Sequence, residues 1–76
     1  MINVTQEHIN SGIKSDCMLC PIALAVRTLF PIVEVDDCCI EIGDVQYYSP
    51  DSVAKFIDDF DNGKLVKPFS FELEKI

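Results

Sequence analysis

The sequence predicts an α+β domain. A short antiparallel sheet, built as a three-stranded meander plus a terminal strand, carries two main helices on one face and a small N-terminal helix. Three observations lead there. Residues 21–31, PIALAVRTLFP, form an apolar run that opens and closes on proline. Residues 32–48 hold three short β-branched or aromatic segments divided by two turn signals. Val53, Phe56, Ile57 and Phe60 recur at the i, i+3, i+4, i+7 spacing of an amphipathic helix.

The elements follow in chain order. Residues 2–4 suit a short strand. Thr5 is a fair N-cap, with Gln6 and Glu7 favourable in the first turn and Gly12 a natural stop, so a short helix is expected over about residues 6–11. A loop follows over residues 12–16. The next helix has two candidate starts, Ser15 and Cys20, and Pro21 decides between them. Proline fits the first helical turn, where its missing N–H has no helical acceptor, but it disrupts an interior position. The helix therefore starts near Cys20 and runs to Phe30, before Pro31. Only Arg27 and Thr28 are polar in that run, which implies burial on most sides.

Residues 32–35, 38–42 and 45–48 read as the meander, with Asp36-Asp37 and Gly43-Asp44 as its turns. Ser49-Pro50-Asp51 reads as a helix start, with Ser49 as cap and Pro50 in the first helical position. Asn62-Gly63 ends that helix. The tail PFSFELEKI alternates Phe69, Phe71 and Leu73 against Ser70 and Glu72, the pattern of a half-buried strand. It could pair with residues 2–4 or with the meander edge. The expected core contains Leu24, Val26, Leu29, Phe30, Ile40, Val53, Phe56, Ile57, Phe60, Phe69 and Phe71.

Length and composition bound the rest. Seventy-six residues make a single compact acidic domain, residues 1–76. Below about 80 residues one core contributes only ~3–5 kcal/mol, so a disulfide, a metal or a second chain often assists. The hydrophobic share of 49% is high for this size and allows a homodimer. A net charge of −7 with only six basic residues argues against direct binding of nucleic-acid phosphates. The start MINVTQEHIN lacks the basic and apolar parts of a signal peptide, and no apolar run is long enough to span a bilayer. The expectation is a cytoplasmic protein with no membrane partner, whose four cysteines are reduced or metal-bound.

The charge is uneven. Residues 31–61 carry Glu34, Asp36, Asp37, Glu41, Asp44, Asp51, Asp58, Asp59 and Asp61 against Lys55 alone, a local net charge of −8. Asp58, Asp59 and Asp61 fall in the last turn of the second main helix, where the macrodipole favours cations. Broken local rules are candidates for function. The plainer reading is acidity for solubility.

Cys17-x-x-Cys20 has the spacing of half a zinc site, and His8 with Cys38 or Cys39 would complete four ligands. Against zinc, the sequence offers no second such pair, and free cysteine packs well as a small buried hydrophobe. No cofactor is therefore expected, with the zinc set His8, Cys17, Cys20 and Cys38 as the alternative. A thioredoxin-like role lacks the preceding strand and the βαβ context. His8 reads as a surface or capping histidine, because no nucleophile reads beside it. No glycine-rich phosphate loop occurs, and Asp-rich turns are solvated rather than set in apolar pockets. No catalytic residue emerges, and the chain is expected not to be an enzyme.

His8-Ile9, Gly12 and Cys17-x-x-Cys20-Pro21-Ile22-Ala23-Leu24-Ala25, with Phe56-Ile57, Phe60-Asp61-x-Gly63 and Val66-x-Pro68-Phe69-x-Phe71-Glu72-Leu73, cover about half the chain. This pattern resembles a family of small uncharacterised proteins encoded by bacteriophages and some bacteria. The resemblance implies a phage setting, hence the cytoplasm of a host cell, and carries over no catalytic residue. Charge and setting together suggest a non-enzymatic accessory protein that binds and inhibits a host defence or nucleic-acid-processing protein with a basic groove. Its contact residues would be Asp36, Asp37, Asp44, Asp58, Asp59 and Asp61. Two alternatives stand beside it. One is an oligomeric sponge for a nucleotide signal, using Lys14, Arg27, Lys64, Lys67 and Lys75. The other is the zinc-stapled structural module.

Overall fold

The computed structural model describes residues 1–35 and 39–75. The elements run β1 (Ile2–Val4), α1 (Gln6–Ser11), α2 (Pro21–Arg27), β2 (Val33–Val35), β3 (Cys39–Ile42), β4 (Val45–Tyr48), α3 (Asp51–Asp61), β5 (Phe69–Phe71) and β6 (Glu74–Lys75). The class is α+β with a small N-terminal helix, as the sequence predicts. Asp36, Asp37 and Cys38 lie outside the described residues.

The sheet differs from expectation in one respect. The tail pairs in both of the ways open to it. Phe69–Phe71 lies antiparallel to β1, with Ile2 opposite Phe71, and forms a separate two-stranded sheet. Glu74–Lys75 continues onto β4 and completes a four-stranded sheet in the order β2-β3-β4-β6. The β3–β4 hairpin turns on Gly43-Asp44 as predicted, with Ile42 opposite Val45. Gly43 takes φ +59°, the left-handed value that two-residue hairpins require and that glycine adopts without strain.

Local chemistry explains the helices. In α1 the Thr5 hydroxyl accepts from the His8 N–H (3.3 Å) and the Thr5 N–H donates to His8 Nδ1 (3.1 Å). This is a capping box with histidine in the acidic position. In α2 Pro21 stands at the first helical position and Cys20 is the cap, as the proline argument requires. The helix stops at Arg27, short of the expected Phe30. Thr28 Oγ1 donates to the Ala25 carbonyl (2.7 Å), and the Leu29 N–H reaches Val26 three residues back (3.0 Å), so the last turn tightens.

α3 begins at Asp51, one residue later than expected, with Pro50 rather than Ser49 at the cap position. It ends in a Schellman motif. The Lys64 N–H donates to the Asp59 carbonyl, the Gly63 N–H to that of Phe60, and Gly63 adopts φ +77°.

The core lies between α2, α3 and the sheets. Ile22, Ala23, Val26, Ile40 and Val53 are completely buried. Val26, Ile40, Val53, Phe56, Phe60 and Phe71 are core residues as predicted, with Phe30, Ile57 and Phe69 half-buried against them. Leu24 is half-buried. Leu29 is the exception at 61% exposed, because α2 has already ended and the residue no longer shares its buried face. Phe60, Phe56, Phe69 and Phe71 form a chain of rings with centroids 6.1, 5.1 and 5.8 Å apart. These separations fall in the range of favourable aromatic pairs. Among the described residues no helix is long and apolar enough to cross a membrane.

Candidate functional site

The segment that leads into α2 is an ordered turn. Asp16 Oδ1 accepts from the Met18 N–H (2.9 Å) and the Leu19 N–H (3.0 Å), and the Cys20 N–H donates to the Asp16 carbonyl (3.0 Å). An aspartate gathering the N–H groups that follow it is the usual way such a turn begins. The Val35 N–H donates to the Cys17 carbonyl (2.7 Å), which fastens the turn to the edge of β2. Ser15 takes φ +58°, which is strained for a residue with a side chain. Its N–H donates to Asp61 Oδ1 (2.8 Å) at the end of α3.

These contacts enclose a cleft of about 520 Å³ between the turn and α3. Asp16, Asp58 and Asp61 line it above an apolar floor of Val35, Ala54 and Ile57, with Cys17 and Cys20 on the turn side. A second cavity of about 190 Å³ shares Cys17 and Val35 with the first and is lined by Glu34, Glu41, Cys39 and Gln46. Glu34 stands directly opposite Glu41 in the β2–β3 register. Like charges so placed are destabilising. Five carboxylates therefore line the two cavities that share Cys17 and Val35. No lysine or arginine lines either cavity. None of the five belongs to an ion pair among the described residues.

The residues picked from sequence divide. Asp58 and Asp61 belong to the cleft. Asp59 is neutralised elsewhere, paired with Lys55 (3.1 Å) and Lys64 (3.8 Å). Asp44 lies by the hairpin in a third cavity with Glu41 and Lys75. Asp36 and Asp37 lie outside the described residues. Sequence reasoning missed Asp16, Glu34 and Glu41. The strand pattern held a signal for the last two, because pairing β2 with β3 around their connection sets the two glutamates opposite each other.

The three aspartates at the end of α3 also have local partners that temper the dipole penalty. Asp58 Oδ1 accepts from Asn62 Nδ2 (3.1 Å), and Asp61 holds Ser15. Lys14 Nζ sits 3.3 Å from where a Cβ on Gly63 would lie, so a cation rests over the negative end of the helix. Lys14 and Lys64 share a cavity of about 260 Å³ with Gln6 and Asn10. Arg27 Nη1 instead donates to the Met18 carbonyl (3.3 Å).

Of the zinc set, the described members His8, Cys17 and Cys20 are not gathered around a common point. His8 Nδ1 is occupied in the capping box, and Cys38 lies outside the described residues. Among the described residues no three His, Cys, Asp or Glu side chains gather where they could hold a metal ion.

Cys20 has a structural task, since its Sγ accepts from the Ala23 N–H at 3.4 Å and caps α2. Burial pushes its thiol above the usual range, and the negative charges of Asp61 and Asp16 add to this against the opposing N–H groups of Ala23 and Ile22. A raised folded-state pKa means that the neutral thiol favours the fold. That contribution is complete below the unfolded-state value of about 8.5 and is lost as pH rises through the higher folded value. Thermal melting followed from about pH 7.5 upward is expected to show a shallower alkaline decline in Cys20→Ser than in the parent chain. Equal slopes would contradict the assignment.

Comparison of the chain with protein-family models, with curated proteins and with solved structures yields no match.

Proposed function

We propose that this chain is a non-enzymatic interaction protein that binds, and thereby inhibits, a partner protein with a basic groove. In the phage setting implied by the sequence resemblance, the partner is a host protein of defence or nucleic-acid processing. The observation that carries this reading is the run of Asp16, Asp58, Asp61, Glu34 and Glu41 around one rim, with no cation in the lining. Asp58, Glu34 and Glu41 place carboxylates where they oppose local stability, beside a helix C-terminus or beside each other. A cationic surface docked there would relieve that repulsion. Long-range attraction between the two surfaces would also speed their encounter, and would weaken with salt.

The test uses a partner captured from bacterial lysate with the parent chain and then purified. Its association with the Glu34→Lys, Glu41→Lys, Asp58→Lys triple variant is measured at two ionic strengths. None of these three side chains holds the Asp16 turn or Ser15, so the fold is expected to be retained, which circular dichroism checks. Association is expected to slow by an order of magnitude or more and to lose most of its salt dependence, since charge complementarity acts chiefly on the on-rate. Asp59→Asn, whose charge is already paired, is expected to leave both unchanged. A triple variant that associates at the parent rate with the parent salt dependence would sink the proposal.

A further inference from the structure

Cys17 and Cys20 differ in environment yet line the same cleft. Cys17 is exposed and Cys20 is buried. The Cys20 N–H closes the turn onto the Asp16 carbonyl four residues back (3.0 Å), which sets the two cysteines three apart on a single turn. Side chains so placed have Cβ atoms about 5–6 Å apart, against about 3.5–4.5 Å across a disulfide. Closing that gap requires a movement of an ångström or two. The Cys20 backbone is fixed by Pro21 and by its bond to Asp16, whereas Cys17 itself is held by one hydrogen bond, from the Val35 N–H to its carbonyl, and its side chain is exposed beside Met18 and Leu19, whose N–H groups Asp16 gathers.

We propose that Cys17 and Cys20 form a thiol–disulfide modification site, at which a small-molecule disulfide reacts with Cys17 and Cys20 resolves the adduct into a Cys17–Cys20 bridge that uncaps α2. In the first step the Cys17 thiolate attacks one sulfur of the external disulfide. That S–S bond breaks, one thiol leaves and a mixed disulfide forms on Cys17. In the second step Cys20 releases its proton to water and its sulfur attacks Cys17 Sγ. The mixed disulfide breaks and the second external thiol leaves. Two protein thiols are oxidised and one external disulfide is reduced to two thiols.

The order follows from access, because Cys17 meets solvent and Cys20 does not. Burial, which also raises the Cys20 thiol above the usual range, keeps it from competing with Cys17 for the external disulfide, so its own attack waits until the mixed disulfide stands beside it. The bridge draws Cys20 Sγ from the Ala23 N–H and moves the rim shared by the two acidic cavities. α2 carries Ile22, Ala23, Ala25 and Val26 of the core, so loss of its cap reaches the whole fold.

The experiment treats the intact reduced chain with oxidised glutathione, quenches it, and maps tryptic peptides by mass. Cleavage after Lys14 and Arg27 isolates residues 15–27, SDCMLCPIALAVR, from the peptide that holds Cys38 and Cys39. The expected product is peptide 15–27 lighter by two hydrogens. Cys20→Ser is expected to stop at a glutathione adduct on Cys17, and Cys17→Ser to react at least tenfold more slowly. The oxidised chain is expected to melt about 4–8 °C lower, the shift that losing one helix cap brings in a domain of this size. Excess dithiol should restore the parent value. A cross-link between peptide 15–27 and the Cys38/Cys39 peptide, a lasting glutathione adduct on the parent chain, or an unchanged melting temperature after bridging would each overturn the proposal.

Discussion

Replacing Gly12 with alanine is expected to destabilise the domain by about 1–3 kcal/mol, although the backbone there suits any residue. Gly12 has φ −71° and ψ 152°, an extended conformation. The obstacle is space. A Cβ at this position would lie 2.5 Å from both Cδ and Cγ of Pro21 and 2.8 Å from its backbone nitrogen. The proline ring cannot rotate away, and Pro21 is itself buried at the start of α2. Either α1 moves off α2 or the first turn of α2 is displaced. In a domain of this size a change of 1 kcal/mol shifts melting by about 4–8 °C, so calorimetry would resolve the effect easily. A Gly12→Ala chain that melts with the parent would show that the two helices separate freely, and the close approach would then have no energetic weight.

Truncating Phe56 to alanine is expected to cost more, about 3–5 kcal/mol. Phe56 is 6% exposed and is the hinge of the ring chain, touching Phe60 on its own helix and Phe69 on the tail. Its loss leaves a cavity and cuts α3 off from β5. A single small core supplies roughly 3–5 kcal/mol in all, so the variant is expected to be largely unfolded at room temperature. Circular dichroism and chemical denaturation would check this. Phe56→Leu, which keeps most of the volume, should recover much of the loss. A folded Phe56→Ala chain with near-parent stability would mean that the ring chain is not central to the core.

What the sequence disclosed and what it withheld divide by range. The Thr5 cap, Pro21 at the head of α2, the Gly43 hairpin and the α3 stripe are decided within a few residues, and each stands where the pattern places it. In the sequence Gly12 is a natural stop for α1. It stops α1, but its missing side chain serves contact with a proline nine positions on. No local pattern carries that information. Likewise the aspartates of α3 look equivalent in sequence. Only the fold separates Asp61, which anchors Ser15, from Asp59, which two lysines neutralise. The acidic rim draws on the turn after α1, on β2, β3 and α3, and no single window of the sequence spans it. Leu29 falls outside the core because Thr28 turns the chain before the helix end that the apolar run predicts at Phe30.

The division of the tail between two sheets bears on the order of events during synthesis. β1 precedes the helices and the meander, yet its partner β5 is complete only at Phe71, and the edge strand of the meander follows at residues 74–75. On the ribosome the β2–β3–β4 meander and the helices can form from contacts close in sequence. β1 must wait, with its apolar Ile2 and Val4 uncovered, until β5 has left the exit tunnel. Contacts so distant in sequence form late and slowly. A nascent chain stalled before residue 69 would present an unpaired apolar strand, the kind of surface on which aggregation begins and which chaperones bind.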